Sequence, residues 1–422
     1  MDNIYEVLKE RGFIEAVTDE QVSKAVLEPI KVYCGFDPSG DSLHVGHLVP
    51  IMALRWFQKL GHTPIALVGG ATGMIGDPSG KSKERNFLTK EKIQQNIIGL
   101  EKNLKQVLSF EGDNQALLLN NNDWFSEFSL IDFLRDVGKY FRLGPMLAKD
   151  SVKSRFESEE GMSFTEFCYQ ILQGYDFFYL LKNHGVSFQI GGGDQWGNIT
   201  AGCELIRKMD SSSAYGITFP LLTRSDGKKF GKTEEGAVWL SAEKCTPYEF
   251  YQYFVRIPDA DVIYLMKLLT FMELEEIYNY QNLMNQENYL PNTAQKKLAE
   301  EVTSILHGKE GLLSALAATK IAKPGTDVSL DIASLNTLKG EIPFYDITLD
   351  RVVSQKLIDI IVLLKLQKSK GEVRRLIQNG GLYLNNEKVL DFDFEVKQDM
   401  LIGEKLLLIS LGKKRRIVLQ IV

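Results

Sequence analysis

Cysteine is scarce and scattered: Cys34, Cys168, Cys203 and Cys245 form no CxxC pair, which argues against a disulfide framework and against a zinc cluster. Long apolar runs are lacking too. No stretch approaches the roughly 18 residues of a membrane span, and the opening MDNIYEVLKERG mixes acidic and basic residues without the apolar core of a signal peptide. These absences lead to the expectation of a reduced, cytoplasmic protein. The balance of 44% hydrophobic and 25% charged residues is ordinary for a soluble chain with a large core, and 422 residues are too many for one typical domain.

The net charge of −6 is unevenly spread. Residues 351–422 hold 14 Lys and Arg against 8 Asp and Glu, a net of +6, which leaves −12 for the remainder. A basic terminal region on an acidic body suggests a nucleic-acid contact at the tail. From about Lys31 to Met209, short apolar runs alternate with helical periods, the pattern of an α/β body whose parallel sheet is covered by helices. Strands are expected at 30–36, 63–68, 116–119 and 188–191, and helices at 47–60, 90–108, 130–147 and 164–183. Pro50 falls in the first turn of its helix, where a missing N–H costs no intrahelical bond. Residues 247–318 read as helical, and 323–350, with Pro324, Gly325, Gly340 and Pro343, as an irregular linker. Ser369 followed by Glu372 is a capping box opening a last helix that Gly380 and Gly381 end before a hairpin, LYLNNEKV.

The run GFDPSGDSLHVGH leads from the first strand into the first helix and sets His44 and His47 at the helix's amino end, beside glycines that let a ligand approach the backbone. At the carboxyl edge of a parallel sheet such a turn suits phosphate, and two imidazoles can stabilise charge developing on a leaving phosphate. Far downstream, KKFGKT places Lys229 and Lys232 in a short loop with Gly231 and Thr233, where two cations would help pyrophosphate depart. On the helix 164–183, Tyr169, Gln173 and Asp176 fall at i, i+4 and i+7 and so share one face. Three polar groups on a helix otherwise carrying Phe167, Ile171 and Phe178 point to a ligand pocket able to hold an ammonium group.

Taken together, HVGH and KFGKT resemble the HIGH and KMSKS signatures of the class I aminoacyl-tRNA synthetases, in the right order and at roughly the right separation. Val45 stands for isoleucine, and Phe230, Gly231 and Thr233 for methionine and the two serines. The stretches YCGFDPSGDSLHVGH, GDPSGKSKER, YQILQGYDF and GGGDQWGNI are similar to the bacterial-type tyrosyl members, and the resemblance covers nearly the whole chain. A tryptophanyl enzyme shares both signatures, but the pair Tyr33 and Asp176 and the tail argue against it. Other nucleotidyltransferases share an HxGH turn without the lysine motif, and an RNA-binding scaffold that had lost catalysis would tolerate damaged motifs, whereas these are intact.

The resemblance implies a Rossmann-like, parallel-sheet catalytic domain over 1–222 with an insertion, a lysine loop and connector at 223–246, an α-helical anticodon-side domain at 247–320, a linker at 321–350 and a small α+β RNA-binding domain at 351–422. It implies that Tyr33 and Asp176 face the phenol of L-tyrosine, that Asp77, Tyr169 and Gln173 face its amino group, and that Gln189 and Gln195 line the same pocket. ATP, with Mg2+ carried on it, would meet Cys34, Gly35, Asp37, Ser39, His44, Gly46, His47, Gly192, Asp194 and Lys232. Lys81 and Arg85 would join His44, His47, Lys229, Lys232 and Thr233 around the pyrophosphate, with no protein metal site and no tightly bound cofactor. In the tail, SKGEVRRLIQNGGLYLNN is similar to an RNA-binding domain shared with a small-subunit ribosomal protein, so Lys368, Lys370, Arg374 and Arg375 would touch tRNA phosphates. A homodimer is a further implication. Asn120 to Asn122 are candidates to approach the pocket, with no position in it assigned.

Overall fold

The runs VYC and PIALV are apolar without alternation, as strands buried on both faces require, and they form the centre of a parallel sheet. The computed structural model describes residues 3–79, 87–149, 152–153, 155, 161–225, 230–233, 236–323, 330–412 and 415–422. They make two units, Met1–Ser241 with Ile257–Glu301, and Ala242–Arg256 with Val302–Val422. Among the described residues no helix is long and apolar enough to cross a membrane.

In the first unit a six-stranded sheet has the order β1-β6-β5-β2-β3-β4, with β1 Ala16–Val17, β2 Lys31–Phe36, β3 Thr63–Val68, β4 Leu117–Asn120, β5 Val186–Gly192 and β6 Tyr215–Phe219. All pairings are parallel except β1 with β6. The expected α/β class is what the chain adopts, and the expected strands and helices, the helix at 130–147 apart, fall within a few residues of the observed ones. The periodicity does not announce β1 and β6. The first is only two residues long, and the second carries Gly216, where a Cβ would run into the Ile199 side chain.

Two helices frame the site. Leu48–Lys59 follows a 3-10 turn at Val45–His47 and has Pro50 in its first turn, as expected. Phe164–His184 starts where the Ser163 hydroxyl accepts the Glu166 N–H and stops at Gly185, whose φ of 70° is left-handed. The single helix expected at 130–147 is instead broken into Leu130–Asp136, a 3-10 turn Gly138–Tyr140 and Leu143–Leu147. Pro145 explains the restart: it fits the first turn of a new helix but would forfeit a hydrogen bond inside a continuous one. Arg11 ties the helix Asp259–Leu269 to this unit by donating to the carbonyls of Lys267, Thr270 and Met272 while its guanidinium lies 4.1 Å over the Trp56 ring.

In the second unit β9 Phe344–Ile347, β10 Leu382–Leu384, β11 Glu387–Lys388, β12 Leu406–Leu411 and β13 Arg415–Ile421 form a sheet of order β11-β10-β12-β13-β9. (Between the two units' sheets in sequence lies a short ladder, β7 Lys232–Thr233 with β8 Gly236–Ala237.) Asn385 and Asn386 take φ of 48° and 67°, the pair of left-handed residues a tight two-residue hairpin needs. The stretch expected as an irregular linker at 323–350 is in part ordered: it holds the helix Ile332–Asn336 and β9, which runs parallel to β13. Its ordering follows from burial, because every residue of β12 is buried. One face of the sheet packs on Ile361, Val373 and Ile377, and the other needs Leu335, Leu338 and Ile342 from the supposed linker.

His307, inside the helix Thr293–Ile321, sits edge-on to Phe250 at 5.1 Å, and burial lowers its pKa to about 4. The folded chain therefore takes up this proton less readily than the unfolded chain. The stability that the neutral ring permits is complete above pH 6.5, the ordinary value, and declines as pH falls toward 4, by up to about 3 kcal/mol. In urea unfolding at pH 7 and pH 4.5, His307→Leu should lose less stability between the two pH values than the parent chain. An equal loss would place the acid sensitivity elsewhere.

Candidate active site

From β2 the chain winds outward through β3 to β4, then returns to β2's other side as β5, so the carboxyl ends of β2 and β5 flank a topological switch point. A cavity of about 460 Å3 opens there. Tyr33, Cys34, Gly35, Asp37, Ser39, His44, Gly46, His47, Asp77, Tyr169, Gln173, Asp176, Gln189, Gly192, Asp194, Gln195 and Lys232 all line it. Lys81, Arg85 and Lys229 lie outside the described residues, as does the side chain of Thr233. Lys368, Lys370, Arg374 and Arg375 are exposed in the second unit, at or beside the helix Lys370–Gln378, where Lys370 pairs with Asp359 at 2.6 Å.

At the cavity floor the Asp176 carboxyl is buried and accepts from Trp124 Nε1 at 2.9 Å and from Asn121 Nδ2 at 3.1 Å. Burial pushes its pKa well above the usual carboxylate range, and the two donors oppose that shift. Beside it the Tyr33 ring packs on Phe177, with centroids 5.3 Å apart. Burial, and then the neighbouring Asp176, drive the Tyr33 phenol far up, so it stays a donor. The Tyr33 hydroxyl and Gln189 Oε1 are buried and find no hydrogen-bond partner among the described residues. Both belong to side chains that line the cavity.

Higher up, Asp77 Oδ2 accepts from Gln195 Nε2 at 2.6 Å, and Asp77 Oδ1 accepts the Ser79 N–H at 2.9 Å. Tyr169 donates to Asp37 Oδ2 at 2.8 Å, keeping its phenol oxygen as an acceptor, and Thr72 donates to Asp37 Oδ1 at 2.8 Å. The glycine turn after β3 makes this possible, for a Cβ on Gly69 would collide with the Asp37 carboxylate and the Thr72 hydroxyl. Burial and then Asp194 push the Cys34 thiol to about 12, which keeps it protonated and excludes a thiolate nucleophile.

The histidine turn is organised by its own backbone. His44 Nδ1 accepts the Gly46 N–H at 3.1 Å and His47 Nδ1 accepts the His44 N–H at 3.2 Å. With both Nδ1 atoms accepting, each neutral ring carries its proton on Nε2. The segment after the lysine loop rests on this turn: Val45 N–H donates to Val238 O at 2.9 Å, and Val238 N–H to Gly231 O at 2.8 Å. Gly231 has φ of 77°, and a Cβ there would stand 3.4 Å from the Gly46 nitrogen. This contact brings Lys232 to the same cavity as the histidines.

Several lining or supporting residues escaped the sequence reading. Thr72, Ser79, Trp124 and Asn198 act through side-chain networks with no spacing signature, whereas Asn121, of the run Asn120 to Asn122 expected near the pocket, does line it. Phe219, Pro220, Leu221, Leu222 and Thr223 form a wall that continues from β6, the strand that periodicity missed.

Comparison with known proteins bears on what this cavity takes. A family model described as tRNA synthetases class I (W and Y) matches residues 24–322, and one described as the tyrosine–tRNA ligase SYY-like C-terminal domain matches residues 335–419. The chain is 56% identical to the tyrosine–tRNA ligase of Protochlamydia amoebophila over all of its own length and 99% of that protein. It is 46% identical to the chloroplastic/mitochondrial tyrosine–tRNA ligase of Arabidopsis thaliana, over 99% of this chain and 84% of the relative. Among solved structures, a C-terminally truncated mitochondrial tyrosyl-tRNA synthetase from Aspergillus nidulans is similar with a TM-score of 0.68 and 32% identity, covering 76% of this chain and 94% of that one.

A buried hydroxyl left without a partner in the protein costs stability. Tyr33→Phe should therefore raise the stability of the ligand-free protein by about 1 kcal/mol, read as a higher urea midpoint at unchanged slope. A lower midpoint would show that the hydroxyl is already satisfied in the folded chain.

Proposed function

The chain belongs to the class I aminoacyl-tRNA synthetases, in their tyrosine branch, and from that membership we propose how its residues divide the work of joining L-tyrosine to tRNA(Tyr) at the expense of ATP. The observation that carries the division is the pair of unpartnered buried atoms, Tyr33 Oη and Gln189 Oε1, beside Asp176. Tyr33 and Asp176 take the phenol hydroxyl, one donating and the other accepting. Phenylalanine leaves the Tyr33 hydroxyl unpaired and gives Asp176 no donor beyond Trp124 and Asn121, and an unpaired buried group costs about 1–3 kcal/mol. Asp77, with Tyr169 and Gln173, holds the ammonium group, so the carboxylate points toward the histidine turn.

Cys34, Gly35, His47, Gly192 and Asp194 hold the nucleoside, and Asp37, Ser39, His44 and Gly46 face the phosphates. The tyrosine carboxylate attacks the α-phosphorus in line. A carboxyl–phosphorus bond forms, the bond to pyrophosphate breaks, and tyrosyl-adenylate results. The Nε2–H groups of His44 and His47, with Lys81, Arg85, Lys229, Lys232 and Thr233, bind the departing phosphates more tightly in the transition state than in the ground state. Mg2+ comes as part of the ATP substrate, and no tightly bound cofactor takes part. A ribose hydroxyl of the terminal adenosine of the tRNA then attacks the acyl carbon, and AMP leaves. Lys368, Lys370, Arg374 and Arg375 meet tRNA phosphates, the helical residues 247–320 serve the anticodon side, and the enzyme works in the cytoplasm.

The test is exchange of labelled pyrophosphate into ATP without tRNA, run with tyrosine, tryptophan and phenylalanine, alongside charging of tRNA(Tyr). Exchange should occur with tyrosine alone. His47→Ala and Lys232→Ala should each slow it about 100-fold. Arg374→Glu combined with Arg375→Glu should leave exchange intact and raise the KM for tRNA about tenfold. Exchange with tryptophan would overturn the pocket assignment, and equal loss of both activities in the arginine variant would make the tail structural only.

A homodimer is supported by apolar side chains left more than two-thirds exposed at Leu130, Ile131 and Phe164. They rise from segments that pack together below through Phe133, Phe141 and Phe167. Sedimentation should give twice the chain mass of 47.7 kDa, and Ile131→Asp with Phe164→Asp should return the single-chain mass. A parent chain that sediments as a monomer at micromolar concentration would remove the dimer.

A further inference from the structure

We propose that Asn198 is a positioning residue for amino-acid activation: it sets which way the Gln195 amide faces, and so gives the cavity its donor for the substrate carboxylate. The inference rests on the reading of the cavity as a tyrosine site.

Asn198 lies three residues after Gln195 in the first turn of the helix Trp196–Asp210, so the two share a helix face. Asn is a poor helix former, and here it is buried next to the apolar Ile199 and Ala201. Gln195 occupies the N-cap of the same helix yet makes no capping bond with its side chain, which instead turns to Asp77. The Asn198 Nδ2 group reaches Gln195 Oε1 at 3.2 Å, Ser79 Oγ at 3.3 Å and Asp77 Oδ1 at 3.5 Å.

Only one setting of the two amides satisfies this cluster. If Gln195 were turned over, Oε1 would face Asp77 Oδ2 at the 2.6 Å now spanned by a donor, and its NH2 would meet the NH2 of Asn198. If Asn198 were turned over instead, its oxygen would replace a donor that faces the Gln195 and Asp77 oxygens. The amide of Gln195 is therefore locked with its nitrogen toward Asp77. Its second N–H has no acceptor among the described residues, and Gln195 lines the cavity. The edge offered to a ligand is thus an acceptor, Asp77, next to a donor, Gln195. That order matches an ammonium group beside a carboxylate on one carbon, the headgroup of an α-amino acid. Asn198 itself does not line the cavity and touches no substrate.

The test is a double-mutant cycle in tyrosine-dependent pyrophosphate exchange, using the full chain with Asn198→Ala, Gln195→Ala and both changes. Asn198→Ala should lower kcat/KM for tyrosine about 30-fold, chiefly through the KM for tyrosine, with the KM for ATP within twofold of the parent. In the Gln195→Ala background the same change should cost less than threefold, because the residue it positions is gone. Asn198→Asp keeps the volume but removes the donor, and should lose at least as much as the alanine variant. Losses that multiply across the cycle, or an Asn198→Asp variant as active as the parent, would overturn the proposal. A parent chain that exchanges with no tyrosine would overturn the tyrosine reading and the proposal with it.

Discussion

The Asp176 carboxyl is 2% exposed, and a group so desolvated persists only where donors reach it. Trp124 and Asn121 supply them, and each donor is itself held. Trp124 stacks on Tyr179 with ring centroids 4.3 Å apart, and Asn121 Oδ1 accepts the Ala71 N–H at 2.8 Å. Asn121 Nδ2 also reaches the Thr72 hydroxyl at 2.9 Å, Thr72 donates to Asp37, and Asp37 accepts from Tyr169. Tyr169 and Asp176 stand on one face of one helix, so the chain of contacts closes on itself. This ring couples the Asp176 end of the cavity to its Asp37 end through the carboxyl edges of three adjacent strands. Moving any member breaks a buried hydrogen bond, which is why the floor can be rigid although it is polar.

The opposite wall is built on another principle. Its backbone contacts place it: the Val45 and Val238 amides, the left-handed Gly231, and imidazoles whose Nδ1 atoms are committed to the turn itself. Such a wall is specific in where it puts Nε2–H groups and Lys232. Activation of a carboxylate by ATP needs no protein nucleophile, and the protonated Cys34 thiol offers none. What the reaction needs is a fixed amino acid and cations able to follow a departing pyrophosphate. On the proposed assignment the floor serves the first need and the wall the second.

The same contrast explains what could be read beforehand. Strands β2, β3 and β5 and their helices announce themselves through apolar runs and periodicity, and the histidine and lysine motifs through glycine-rich local chemistry. All of these are properties of short segments. Trp124 and Asn198 have no such mark, since their roles exist only once β4, the helix Phe164–His184 and the helix Trp196–Asp210 are side by side. The misreadings have the same origin. Residues 130–147 keep a helical period through Gly138 and Pro145, where backbone chemistry overrides it. The stretch 323–350 looks irregular until the second face of β12 and β13 has to be covered, and then Leu335 and Leu338 become core.

The unpaired atoms at the floor show how stability and specificity trade against each other here. A chain shaped for stability alone would carry phenylalanine at position 33, in a ring environment already apolar through Phe177, Leu67 and Ile65. Tyrosine there leaves a hydroxyl that only something entering the cavity can satisfy, beside a carboxyl that burial has made reluctant to ionise. On the proposed reading an entering phenol gives the hydroxyl its partner and the carboxyl a further donor, whereas an entering phenyl ring seals the hydroxyl from water with nothing in exchange. On that reading the discrimination resides in the folded protein before any ligand arrives, as polar groups held in place by the Asp176 ring of contacts. The same reading makes the network's members, and not only the two residues that would touch the phenol, set how strictly the pocket distinguishes one aromatic amino acid from another.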